Sequence, residues 1–223
     1  MQTFCAFFGI QKGVTALIGG GGKTSAMYAL AEYLCTRGSV IVCTSTHILC
    51  PPQYPYLAHI DAPPAFGQIV STGVKEGHKL TSPAQSFDAL AALADYVLVE
   101  ADGSRQLPLK AHAPHEPVIP EQAKTVLAVI GIDGLGKPIR EVAHRPERFA
   151  AICGVGTDAL VTPEMIRTVM MTYPRFDGIV INKADNETLV ERALALAERF
   201  PCPVAVTAWQ TEHPIKAYRR NEP

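Results

Sequence analysis

Gly19-Gly20-Gly21-Gly22-Lys23-Thr24-Ser25 is a glycine run with a basic, hydroxyl-bearing end, set between two stretches of different periodicity. Ahead of it, Val14-Thr15-Ala16-Leu17-Ile18 is short, apolar and β-branched, the pattern of a buried strand. Behind it, Ala26, Met27, Leu30, Ala31 and Leu34 recur at helical spacing, with Gly38 as a natural stop. A strand, a glycine loop, Lys-Thr and a helix form the arrangement that wraps backbone N–H groups around a polyphosphate. Glycines let the backbone approach the ligand without Cβ clashes, and the helix start adds partial positive charge. Gly19, Gly20, Gly21, Gly22, Lys23, Thr24 and Ser25 are therefore expected to bind a nucleoside triphosphate. Lys23 would reach the terminal phosphates, and the Thr24 hydroxyl would ligate Mg²⁺.

The longer form of this loop, G-x-x-x-x-G-K-[ST], needs a glycine at position 17, which is Leu17 here. What remains is a compact G-x-x-G-K-T. It resembles the shorter loop of amide-bond ligases of the Mur and folylpolyglutamate type.

The rest of the chain alternates between strand and helix patterns, which predicts an α/β fold of three layers, P-loop NTPase-like, with a mostly parallel central sheet. Strands are expected at 39–44, 96–100, 125–130, 179–181 and 204–206. Helices are expected at 86–95, 147–152 and 163–172, and after Asn186 as a cap. The second glycine cluster, 131–136, lacks Lys-Thr and reads as a turn. Residues 48–81 are rich in proline and glycine and predict an irregular insertion, with a small hairpin near 68–80. At 223 residues, 48% of them hydrophobic, a single domain over 1–223 is expected.

A formal net charge of −1 argues against nucleic acid or an anionic membrane as partner. No apolar run approaches a membrane span, and the first 14 residues make a poor signal peptide, so the expected location is cytoplasmic. The six cysteines form no C-x-x-C pair and no zinc spacing, and they read as structural. Cys50, in a polar loop before Pro51-Pro52, stands apart from the others.

Two further constellations point to nucleotide chemistry. Val97-Leu98-Val99-Glu100-Ala101-Asp102 is an apolar strand ending in carboxylates, the usual way such proteins hold Mg²⁺ through water. By alternation Glu100 and Asp102 would share a side, and two carboxylates there repel unless a cation lies between them. The metal set is then Thr24, Glu100 and Asp102, and the catalytic set Lys23, Glu100 and Asp102. Asn182-Lys183-Ala184-Asp185 follows another strand, where an N-K-x-D run can recognise guanine through the Asp carboxylate. No D-x-x-G follows the Glu100 strand, so GTP and ATP both stay open as the cofactor. Asn182, Lys183 and Asp185 are the expected base contacts.

Taken together, the glycine loop, Thr44-Ser45-Thr46, Glu100-Ala101-Asp102-Gly103-Ser104, Leu107-Pro108-Leu109-Lys110-Ala111, His144-Arg145-Pro146 and Asn182-Lys183-Ala184-Asp185 resemble the YqeC family. The family is described as accessory proteins of selenium-dependent hydroxylases. The resemblance implies a role in maturing selenium-containing molybdenum hydroxylases, with such an enzyme or its cofactor as partner. Thr46, Arg105 and Lys110 are expected to contact a substrate. The residues themselves lead to a Mg²⁺-dependent nucleoside-triphosphate-binding protein, a hydrolase or nucleotide-driven transferase. Two alternatives stand beside it: a ligase or kinase that activates a small acid or cofactor fragment, and a non-enzymatic, nucleotide-gated chaperone that delivers a cofactor.

Overall fold

The structure, a computed structural model, describes residues 1–220. The fold class is α/β and three-layered with mostly parallel sheets, as the alternation predicts. The chain forms two compact units. One comprises Met1–Ile18, Thr24–Gly103 and Pro117–Val126; the other comprises Gly19–Lys23, Ser104–Glu116 and the chain from Leu127 on.

The first unit opens with α1 (Gln2–Phe8), which buries Phe4, Cys5 and Phe8 and ends on a left-handed Gly9. Then come β1 (Gly13–Gly19), α2 (Lys23–Leu34), β2 (Val40–Thr44), β3 (His47–Leu49), β4 (Tyr56–Leu57), β5 (Ile69–Thr72), β6 (Val74–Glu76), β7 (Lys79–Thr81), α3 (Phe87–Leu93) and β8 (Tyr96–Glu100). Strands run in the order β1-β8-β2-β5-β4, every neighbour parallel. β2 and β8 are buried along their whole length, and β1 is buried beyond its first residue. Their near-continuous apolar runs are what parallel strands covered on both faces require. Leu17 pairs with Glu100, and Glu100 with Thr44, so β8 and β2 finish level while β1 runs on to Gly19.

The 48–81 stretch is more ordered than its composition suggests. β5 joins β2 as a parallel neighbour, while β6 and β7 form a hairpin that pairs with β3 in a separate antiparallel sheet. The strands are two to four residues long, too short to show a period in the sequence. Buried Ile48, Val70 and Leu80 anchor β3, β5 and β7.

The second unit contains β9 (Leu109–Lys110), the end of β10 (Ala123–Gly131), a 3₁₀ turn over Ile132–Gly134, α4 (Ile139–Val142), β11 (Ala143–His144), α5 (Pro146–Cys153), α6 (Pro163–Met170), β12 (Gly178–Asn182), α7 (Glu187–Ala197), β13 (Val204–Thr207) and β14 (Ile215–Arg219). β10, β12 and β13 are parallel neighbours; β14 closes the row antiparallel to β13. β9 and β11 form a small parallel ladder of their own. Thr162 and Asn186 cap α6 and α7 by accepting from Met165 N and Leu189 N. β14 lies beyond the last expected strand, 204–206. Its charged, half-exposed residues suit an edge strand, where lysine and arginine discourage further pairing. Among the described residues no helix is long and apolar enough to cross a membrane.

Candidate functional site

The glycine loop is shaped by the backbone packed against it in the second unit. Gly20 N donates to Val129 O at 2.8 Å, and Gly21 N to Leu107 O at 3.0 Å. Gly21 has φ +69°, and a Cβ there would lie 2.1 Å from Gly131 N. Gly22 has φ +111°, and its Cβ would meet Asn182 Nδ2 at 2.6 Å. Both positions require glycine twice over, by conformation and by space. Leu17 is tolerated where the longer motif has glycine because β1 continues to Gly19, so the turn begins two residues later. Lys23 is 2% exposed, and its Nζ donates to Gly19 O at 2.7 Å, folding the side chain back over the loop. α2 starts at Lys23 with no acidic residue in its first turn, so its leading N–H groups keep their partial positive charge. Ser25 is half-buried in that turn.

In the first unit, Thr24 Oγ1 donates to Glu100 Oε2 at 2.6 Å. Glu100 is 6% exposed and Asp102 fully buried. Thr44 Oγ1 donates to Glu100 O at 2.7 Å, Ser45 N to the same oxygen at 3.2 Å, and Thr46 N to Thr44 Oγ1 at 3.0 Å. The Thr44–Thr46 turn is thereby fastened to the end of β8. Thr46 Oγ1 lies 3.4 Å from Thr44 Oγ1. Hydroxyls and carboxylates are hard oxygen donors, the set that suits Mg²⁺. Among the described residues no three His, Cys, Asp or Glu side chains cluster as a metal cage.

Asn182, at the end of β12, is buried and engaged at both ends of its amide. Nδ2 donates to Gly21 O at 2.7 Å, while Oδ1 accepts from Thr207 Oγ1 at 3.1 Å and Trp209 N at 3.3 Å. Its side chain braces the glycine loop against the start of the 207–209 segment. Lys183 is left-handed, φ +65°, with Nζ 3.0 Å from Asp133 Oδ2. Asp185 is exposed.

Lys110 and Arg105 differ in setting. Lys110 is buried on β9, whereas Arg105 is exposed in a left-handed conformation, φ +50°. Lys110 Nζ lies 2.9 Å from Glu116 Oε2, and Arg145 Nη1 lies 2.5 Å from the same oxygen. Burial pushes the Glu116 carboxyl up, but hydrogen bonds and charge from Arg145 and Lys110 outweigh it and hold the group below its ordinary 4.5. His144 is lowered from 6.5 by burial and then by the Lys110 and Arg145 charges, with Glu116 opposing.

A crevice of about 670 Å³ opens elsewhere in the first unit, lined by Lys12, Ser39, Phe66, Asp95 and Lys124 among others. It begins at the amino-terminal end of β1, where Lys12 and Asp95 form a 2.6 Å ion pair.

The model of the YqeC protein family matches residues 15–147, more than half of the chain. The chain belongs to the YqeC family. The uncharacterized protein YqeC of Escherichia coli (strain K12) is 36% identical over 162 residues, covering 66% of this chain. The chain spans 62% of that curated relative's length. The YqeC match takes in the glycine loop, Glu100, Asp102, Lys110, Glu116 and Arg145, and ends before Asn182.

Glu116 went unnoticed in the sequence because it sits alone in a polar stretch with no spacing pattern. Arg145 was visible only as part of the His-Arg-Pro run shared with the YqeC family. Replacing Asn182 with alanine is expected to lower stability by about 2–3 kcal/mol, since Gly21 O and Thr207 Oγ1 lose this buried partner. A urea midpoint equal to that of the parent protein overturns the brace. The pH dependence of stability has a definite sign. Glu116, held low, contributes stability that is present above its ordinary 4.5 and lost as pH falls through its folded value. His144, also held low, stays neutral when folded, so the unfolded chain takes up its proton first and stability declines below 6.5. Urea midpoints should fall in both windows on acidification, and Glu116→Gln should flatten only the lower one.

Proposed function

We propose that this YqeC-family protein binds a Mg²⁺–nucleoside triphosphate and hydrolyses it or transfers part of it. The observation that carries this reading is the glycine loop: packed backbone at Gly21 and the Asn182 side chain at Gly22 close the space for any Cβ, and a buried lysine follows directly. A structural turn has no need of that lysine. A buried ammonium resting on a carbonyl is positioned to exchange that contact for a phosphate oxygen, a stronger charge-assisted bond. Thr24, Glu100 and Asp102 would hold Mg²⁺, which when bound supplies charge neutralisation for the phosphates. Glu100 and Asp102 would orient the attacking water or acceptor. For the base we favour guanine, read by Asp185 with Lys183 packed on the ring, while Asn182 supports the loop. The biological setting we favour is maturation of selenium-dependent molybdenum hydroxylases.

Calorimetric titration with ATP, GTP and CTP in Mg²⁺ tests this directly. The parent protein should bind, with GTP ahead of ATP in competition. Lys23→Ala should weaken binding about 10- to 100-fold, matching a charge-assisted contact of about 1.5–3 kcal/mol, without unfolding the chain. Undiminished affinity in that variant would falsify the phosphate-loop reading. Tighter ATP than GTP binding removes only the guanine assignment. Asp102→Asn should reduce Mg²⁺-dependent phosphate release more than it reduces nucleotide binding measured in EDTA. Equal losses in the two assays count against a metal role for Asp102.

A further inference from the structure

The crevice at the amino-terminal end of β1 lies wholly in the first unit and has no part in the nucleotide reading. Asp95 stands just before β8 and Glu100 at its last position, so five residues of strand, about 16 Å, separate the crevice from that carboxylate. Its volume of about 670 Å³ falls in the range of small-molecule sites. Ala91, Ala92 and Ala94, at the end of α3, line one side with methyl groups only, which leaves the room. Phe66 also lines it and is 75% exposed. The turn that carries Phe66 is held: Ala65 N donates to Gln68 Oε1 at 3.0 Å, Gly67 N to Gly38 O at 3.4 Å and Val40 N to Gln68 O at 2.9 Å. A ring displayed from a fixed turn offers an apolar face at little further cost in entropy.

The charges that line the crevice fall into two groups. Lys12 and Asp95 neutralise each other in their 2.6 Å ion pair, and Asp95 Oδ2 also accepts from Ser39 N at 3.0 Å. Lys124 and Asp88 have no partner of opposite charge among the described residues. Lys124 lies across Gly13, where a Cβ would meet its Cε at 3.0 Å, and its Nζ donates to Lys12 O at 2.9 Å. Asp88 Oδ2 accepts from Gln122 Nε2 at 2.6 Å, which leaves Oδ1 open. Both side chains line the same crevice, yet they form no ion pair with each other. One cation and one carboxylate therefore face a shared space, each matched inside the protein only by a neutral group.

We infer that this crevice binds a free amino acid with an apolar or aromatic side chain, its carboxylate on Lys124, its ammonium on Asp88 and its side chain against Phe66. Two unlike poles beside an apolar ring match a zwitterion better than a singly charged molecule. A simple organic acid would bring its carboxylate beside Asp88, and a simple amine would bring its ammonium beside Lys124. Like charges brought together in this way oppose binding.

The test titrates the full chain, without nucleotide and near neutral pH, with L-phenylalanine, 3-phenylpropionate and phenethylamine. The backbone amide signals of Phe66, Ala92 and Lys124 are followed by NMR. L-Phenylalanine is expected to shift all three and to bind about fivefold tighter than either singly charged analogue, the size of one partly exposed ion pair. Lys124→Gln and Asp88→Asn should each lower its affinity about threefold to fivefold, and Phe66→Ala should lower it too. All three side chains are exposed, so the circular dichroism of these variants should match the parent. Signals unmoved by any of the three probes overturn the site. An analogue that binds as tightly as L-phenylalanine overturns the amino-acid assignment, and so does an L-phenylalanine affinity that both charge variants leave unchanged.

Discussion

Backbone meeting backbone at the glycine loop is the constraint from which the second unit's site is built. A Cβ at Gly21 would sit on the amide of Gly131, the last residue of β10, so the loop can lie there only if position 21 has no side chain. The packing brings Leu107 and Val129 carbonyls onto the loop's N–H groups and lets the Asn182 amide reach Gly21 O. Buried amides left without such partners would each cost about 1–3 kcal/mol. The glycines, the 107–108 segment and the end of β12 therefore form one interdependent unit of structure. Lys23 completes it by turning its ammonium back onto Gly19 O.

Buried charge is handled differently at the two carboxylate sites. In the first unit Glu100 is met by hydroxyls and amides: Thr24 on its side chain, Thr44 and Ser45 on its carbonyl. In the second unit Glu116 faces two cations at once, and its carboxyl is held low even though burial alone would raise it.

Much of the fold was legible because buried parallel strands write themselves as unbroken apolar runs. Val97-Leu98-Val99 and Ile179-Val180-Ile181 could be placed from composition alone, and Asn186 announced its helix by capping chemistry. Within 47–81 a small hairpin was expected near 68–80, but β3, β4 and β5 were hidden because two to four residues carry no measurable period; β14 was hidden because an edge strand studded with Lys216 and Arg219 looks like polar surface chain. The glycine loop was legible for a physical reason: a left-handed turn packed on backbone leaves few choices other than glycine. Glu116 left no such mark, since a lone carboxylate in a loop is compatible with any surface.

Local chemistry was therefore determined by the sequence itself. Strand, glycine turn, lysine and helix follow from steric and periodic rules that act over a few residues, and the acidic end of β8 follows from the same rules. Tertiary structure alone decided the partnerships. Asn182 could read a base or brace a loop, and only packing brought its amide onto Gly21, 161 positions away in the chain. Lys110 and Arg145 could have been solvated cations, yet the two-residue ladder of β9 and β11 turned both onto one oxygen of Glu116. Contacts between residues far apart in sequence depend on how whole elements pack, and no short stretch of sequence encodes that.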